Sequence, residues 1–240
     1  MVLKLDGTGF VQVPDSQTLR IGAELTLFCR FIDTYANATA GETLIEKGSP
    51  GMFEYKIRSG ATAGNSIYQN SGASTYMSVS GGALAPGVEF TVAGTYKQAV
   101  EAIVFVNGSQ VSRTVTATGT APVGMASPLG VGARPTSANI FTGDIIEAAV
   151  FSSSLLPTDI ADLHSGAKKP IDFASCVMWH DYRTGTAQDQ TSNGNNGTLV
   201  GGASLTTEKG IGGLAGGSTT TLLIIAGIAI AAWYFFLRKN

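Results

Sequence analysis

The sequence predicts an all-β sandwich of two stacked sheets, followed by one C-terminal membrane-spanning helix. Three observations lead there. The 240 residues are 44% hydrophobic and include 31 glycines, a share suited to a fold rich in tight turns. Short apolar runs recur between turn residues along most of the chain. An uncharged apolar stretch, LLIIAGIAIAAWYFFL, lies near the C-terminus. All-β sandwiches of about 200–250 residues commonly form one domain.

Strands are expected at 2–5, 9–13, 25–31, 43–47, 53–58, 76–80, 89–96, 102–107, 129–132, 145–151 and 177–181. Several alternate, as where Leu25, Leu27, Cys29 and Phe31 interleave with Thr26, Phe28 and Arg30. Alternation marks one buried face, and many short strands at this spacing suggest a sandwich or jelly roll. Asn107-Gly108 between two apolar runs signals a hairpin. One helix is expected over 157–164, with Pro157 at its first position, Ile160 and Leu163 on its apolar face and Gly166 after its end.

Charge narrows the function classes. Setting aside Arg238 and Lys239, the body carries 13 basic against 17 acidic residues. A mildly acidic body does not suit binding to nucleic-acid phosphates, which needs clustered Lys and Arg. Cys29 and Cys176 both sit in apolar runs and read as buried thiols, with a single disulfide as the alternative.

Residues 219–237 would span about 28 Å as a helix, close to the hydrocarbon thickness of a bilayer. Leu222, Ile224 and Ile228 supply apolar bulk. Trp233 and Tyr234 suit the interface, and Arg238 and Lys239 follow as basic anchors. Gly227 and Ala231 form a small-xxx-small pair through which two such helices could touch, making a homo-oligomer. The expected organisation is a β domain over 1–204, a Gly-rich linker over 205–218, the transmembrane helix over 219–237 and a basic tail over 238–240. MVLKLDGTGF lacks the basic and apolar regions of a secretory signal. An anchor without a leader fits a domain that folds in the cytoplasm and ends in a viral internal membrane, its basic tail facing the genome. The three Asn-x-Ser/Thr sequons, at Asn37, Asn107 and Asn196, then read as chance.

Four stretches carry a family resemblance. LKLDGTGFVQVPDSQTLRI has an Asp-Gly turn, an edge strand and a Leu, and LTLFCRF follows as a core strand. VEFTVAGTYKQAVEAIVFVNGSQV has a strand ending in Thr-Tyr and then a hairpin. LGVGARPTSANIFTGDIIEAAVFSSSLLPTDIADLH has a Gly strand, a loop, Phe-x-Gly, a long apolar strand and a helix. Over roughly residues 2–204 the chain resembles the concanavalin A-like, laminin G-like jelly-roll family. It departs from that pattern at Arg30, where the family usually has Trp. It also departs at Asn107, where the family has Asp, and at Leu156, where a Ser or Thr cap is common. MWHDYRTGTAQDQTSNGNNGTLVGGA resembles a piece that precedes the domain in many members. Its place here implies a circularly permuted order, or else a truncated second repeat.

The resemblance implies either glycan binding or glucanase chemistry. The glucanases need paired carboxylates on one strand face. Asp144 and Glu147 are three apart, so regular alternation puts them on opposite faces. His180 and Asp181 are separated in the same way, and His164 ends the helix. No catalytic residue is therefore assigned, and no Cys/His spacing suggests zinc. Relatives often hold Ca²⁺ in oxygen-rich loops, which makes Asp189, Asn193, Asn195 and Asn196 calcium candidates. The other reading of that loop is a turn-rich hairpin. Tyr35, Tyr68 and Tyr76 are the candidate ligand-binding aromatics.

The expected function is a non-catalytic, membrane-anchored, lectin-like binding or structural module. Its expected setting is the virion of a membrane-containing phage, where it would contact the lipid bilayer and capsid or envelope proteins or glycans. The alternatives are a cell-surface glycan-binding adhesin, which requires a signal sequence, and a glycoside hydrolase, which requires the carboxylate pair.

Overall fold

The computed structural model describes residues 1–34, 42–49, 52–59, 66–69, 76–77, 85–98, 100–115, 124–136 and 139–207. Among them run β1 (Val2–Asp6), β2 (Phe10–Val13), β3 (Glu24–Asp33), β4 (Glu42–Ser49), β5 (Met52–Ser59), β6 (Ser66–Gln69), β7 (Tyr76–Met77) and β8 (Glu89–Lys97). There follow β9 (Glu101–Val106), β10 (Ser109–Val115), β11 (Leu129–Val131), β12 (Thr142–Phe151), helix α1 (Pro157–Ser165), β13 (Cys176–Asp181), β14 (Thr198–Val200) and β15 (Ser204–Thr206).

Two antiparallel sheets stack as the alternation predicts. The first has the order β10-β9-β8-β3-β12-β1-β15, with β13 also paired to β12, and the second has the order β14-β2-β11-β4-β5-β6-β7. The inward rows of both meet in one core. Leu25, Leu27, Cys29 and Phe31 of β3 face Val11, Val131, Ile45, Ile57 and Tyr55 of the second sheet. The 107–108 hairpin forms with Asn107 at φ 49° and Gly108 at φ 74°, the left-handed pair that a tight β-turn of this hand requires.

Helix α1 begins at Pro157 and extends one residue beyond the expected end. It packs Ile160 and Leu163 on the outer face of the first sheet, against Phe28, Ala149, Phe151 and Trp179. β3 and β12 are therefore buried on both faces. Cys29 belongs to the inter-sheet core and Cys176 to this outer layer. The first sheet separates them, and both are buried free thiols.

The segment after α1 belongs to the same sandwich. β13 pairs with β12, β14 with β2 and β15 with β1, so it adds strands to both sheets. Among the described residues no helix is long and apolar enough to cross a membrane. The anchor residues Leu222, Ile224, Ile228, Trp233, Tyr234, Arg238 and Lys239 lie outside the described residues.

At one rim of the sandwich Glu42 accepts the Thr142 N–H at 3.1 Å. Burial pushes its carboxyl up to about 7, Asp33 adds repulsion, and the Thr142 bond opposes both. The folded state thus binds this proton more tightly than the unfolded chain, whose carboxyl titrates near 4.5. The resulting stability is present below pH 4.5 and is lost as pH rises through 7. Glu42→Gln is expected to leave the melting temperature unchanged near pH 4. At pH 8 it should gain about 1–2 kcal/mol once solvent screening of a half-buried group is allowed for. Thermal melts at both pH values check this, and an equal gain at each would refute the titration as its cause.

Candidate functional site

The outer face of the second sheet gathers polar residues into one cross-strand row. Directly opposed positions share a face, and registers run Gln12 to Gly130, Gly130 to Glu46, Glu46 to Lys56, Lys56 to Tyr68 and Tyr68 to Tyr76. The flanking rows, such as Val11, Val131, Ile45 and Ile57, belong to the core. Tyr68 and Tyr76 thus occupy adjacent register positions in this row. Tyr35 lies outside the described residues.

Two glycines shape one end of the row. Gly132 takes φ +85°, which turns the chain back on itself. The returning backbone lies so close over Gly130 that a Cβ there would meet the Ala133 carbonyl. This fold-back delivers Arg134 onto the row, where its Nε donates to Glu46 Oε1 at 2.7 Å. Thr43 Oγ1 donates to the other Glu46 oxygen at 3.3 Å. Burial pulls the Lys56 ammonium down to about 8. Repulsion from Arg58 and Arg134 adds to this, and Glu46 opposes it. Sequence reasoning missed this charged cluster. Its one local signal was the pair of glycines flanking Val131 in LGVGARP.

The oxygen-rich loop after β13 is assembled, and its Asp189 carboxylate and the Asn196 side-chain oxygen accept the protein's own hydrogen bonds. Asp189 Oδ1 accepts the Trp179 and Thr191 N–H groups, each at 3.0 Å. Its Oδ2 accepts Thr191 Oγ1 at 2.8 Å and the Asn195 N–H at 2.9 Å. Asn195 is buried, donating to Val177 O at 2.7 Å and Thr18 Oγ1 at 3.0 Å. Asn196 Oδ1 accepts the Asp189 N–H, and Asn193 Nδ2 donates to Val177 O. The four residues do come together, and they knit the loop to β13. No group of three or more His, Cys, Asp or Glu side chains converges among the described residues.

Regular alternation fails on β12, so the expectation for Asp144 and Glu147 needs correction. A bulge shifts the register between Ile145 and Glu147. Ile145, Ala148 and Val150 all reach the inter-sheet core, which leaves Asp144, opposite exposed Lys4, and Glu147, opposite Arg30, on the same outer face. Glu147 is a clamp there. Its Oε1 accepts Arg30 Nε at 2.7 Å, and its Oε2 accepts Trp179 Nε1 and Arg183 Nη2, each at 3.2 Å.

Both histidines are engaged in hydrogen bonds within the fold. His180 is fully buried, donating from Nε2 to the Asn195 carbonyl at 2.8 Å, with the Tyr182 hydroxyl on Nδ1 at 3.2 Å. Burial holds its pKa below the ordinary value. His164 contacts Thr91 Oγ1 through Nδ1 at 2.9 Å.

Comparison with known proteins adds a family. The sequence pattern of the concanavalin A-like lectin/glucanase superfamily matches residues 5–161. No curated protein matches the chain. A carbohydrate-binding protein of Bacteroides ovatus, described as putative, superposes with TM-score 0.60 at 14% identity, over 88% of this chain and 61% of its own. The chain thus spans less than two thirds of that protein's length. The carbohydrate-binding module of a Ruminococcus gnavus sialidase, bound to α2,3-sialyllactose, gives TM-score 0.56 at 15% identity, over 68% of this chain and 96% of that one. Domain 4 of a Geobacillus stearothermophilus arabinanase, in complex with arabinotriose, gives 0.53 at 15%, over 68% and 76%.

Proposed function

The chain belongs to the concanavalin A-like lectin/glucanase superfamily, and from that premise we propose a non-catalytic glycan-binding module whose site is the outer face of the second sheet. The observation that carries this reading is the cross-strand row. It combines two tyrosine positions with hydrogen-bonding and charged groups on one face. An aromatic ring offers an apolar body to a sugar ring and a polar tip to its hydroxyls. The sialidase module and the arabinanase domain hold oligosaccharides on the same fold.

Absence of catalysis rests on the row's carboxylates. Glycoside hydrolysis generally takes two, one on each side of the scissile bond. Among the described residues Glu46 is the one acid in the row, and Arg134 and Thr43 hold it. The apolar segment 219–237, with Arg238 and Lys239, supports attachment of this module to a bilayer through the linker 205–218.

The test is a glycan array probed with the full chain in nanodiscs. We expect oligosaccharide capture that falls at least tenfold in Tyr68→Ala and in Tyr76→Ala while the melting curve holds, the scale expected for losing a stacked aromatic. Capture of no glycan, or capture indifferent to both substitutions, would reject the site.

A further inference from the structure

Away from the outer face, we propose a site of self-modification: the Lys47 ammonium and the Asp15 carboxylate condense to an amide, with Glu54 carrying the proton between them. The three side chains come from separate parts of the chain. Lys47 lies in β4, Glu54 in β5, and Asp15 in the loop after β2. Lys47 Nζ stands 2.7 Å from Glu54 Oε2 and 3.4 Å from Asp15 Oδ1. The Lys47 and Glu54 side chains are fully buried, whereas Asp15 keeps 21% of its own exposed. Arg20 grips Asp15 with two donors, its Nε 3.1 Å and its Nη2 2.5 Å from Oδ2. That fork can hold the negative charge that gathers on Oδ2 when Cγ becomes tetrahedral. Glu54 Oε2 also accepts the Met125 N–H at 3.3 Å, and its buried Oε1 has no hydrogen-bond partner among the described residues. Burial pushes this carboxyl upward, which suits it to accept a proton from the ammonium.

The reaction consumes no other reagent. One ammonium proton passes to Glu54, and the freed amine attacks Asp15 Cγ. The Cγ–Oδ1 bond then breaks. Oδ1 leaves as water, with the proton that Glu54 returns and a second proton from the nitrogen. An amide between Lys47 Nζ and Asp15 Cγ remains, Glu54 is regenerated, and one positive and one negative charge have cancelled. Groups held side by side in a fold react as if at very high concentration, roughly 10⁵–10⁸ M in well-oriented cases. The exposed side of Asp15 gives the released water an exit. The ion pair is the starting state of newly folded protein, and the bond accumulates from it. Once formed, it ties the loop after β2 to β4 across the intervening β11.

Intact-mass measurement and tryptic mapping test this on the full chain, incubated folded in nanodiscs and then denatured. The expected result is a species lighter by one water that grows with incubation. Its digest should contain peptide 5–20 joined to peptide 31–56, uncut after Lys47. Cyclisation at Asp6-Gly7 would also shed one water but would join no peptides, so the joined pair is the readout. Asp15→Ala, at a partly exposed position, should abolish the joined pair while the melting curve shows a folded protein. Asp15→Asn should still react and lose ammonia in place of water. Glu54→Gln should slow the reaction by at least about a hundredfold, the usual share of a general acid–base group. Lys47→Met carries the folding risk, so the parent and Asp15→Ala decide. Complete release of 31–47 and 48–56 as free peptides from the incubated parent would overturn the inference. So would a joined pair that persists in Asp15→Ala, and an unchanged rate in Glu54→Gln would overturn the role given to Glu54.

Discussion

Replacing Lys47 with methionine is expected to destabilise the domain by about 3–5 kcal/mol, the usual cost of stranding one member of a buried ion pair. Lys47 occupies an inward position opposite Tyr55 and is fully buried, as is Glu54. The ammonium donates to Glu54 at 2.7 Å and also to the Met125 carbonyl, and Asp15 lies 3.4 Å away. Burial already pushes the Glu54 carboxyl upward, and the Lys47 hydrogen bond is the main force opposing it. Without Lys47, Glu54 takes up a proton more readily, so the loss should be larger at pH 8 than at pH 5. The double variant Lys47→Met with Glu54→Leu should recover most of the loss, since apolar replacement of both partners is often neutral. Urea denaturation of the three proteins measures it. A single variant within about 1 kcal/mol of the parent would show that the pair is not a structural requirement.

Arg30→Ala should cost about 3 kcal/mol for a different reason. This guanidinium joins three parts of the outer layer. It donates to Glu147 at 2.7 Å, to Glu89 at 3.2 Å, and to the Leu163 and His164 carbonyls at the end of α1, each at 2.9 Å. It satisfies helix-end carbonyls that would otherwise lack partners and anchors the buried Glu147. Arg30→Lys keeps the charge but cannot span all four acceptors, so it should recover less than half of the loss. Chemical denaturation gives the energies. Hydrogen exchange should show the last turn of α1 opening first. Full recovery in the lysine variant would show that charge alone matters at this position.

Alternation made most of the strands legible, and the family resemblance gave the sandwich. β6, β10, β14 and β15 stood outside the expected set; SIYQ, TLV and SLT are too short to display a period, and SQVSRTV is mostly polar. The bulge on β12 escaped as well. Nothing in IIEAAVF announces a residue inserted into the ladder, so Asp144 and Glu147 were assigned to opposite faces. The second layer was visible only indirectly: Phe28 in β3 and the unbroken Ala148 to Phe151 run mark strands buried on both sides. Residue type alone singled out Tyr68 and Tyr76. Their alignment with Lys56 and Glu46 depends on registers between strands, and Arg134 arrives from a loop. No local pattern encodes either fact.

The pairing of Val2 with Thr206 has a kinetic consequence. β1 makes its ladders with β12 and β15, and β2 makes its own with β11 and β14, so the leading strands of the domain find their neighbours only among much later ones. Little of either ladder can form locally. Closing such long loops slows the search for the native state, and folding on the timescale of milliseconds to seconds follows from that topology. A nascent chain would hold the edges of β1 and β2 open until the end of the domain leaves the ribosome.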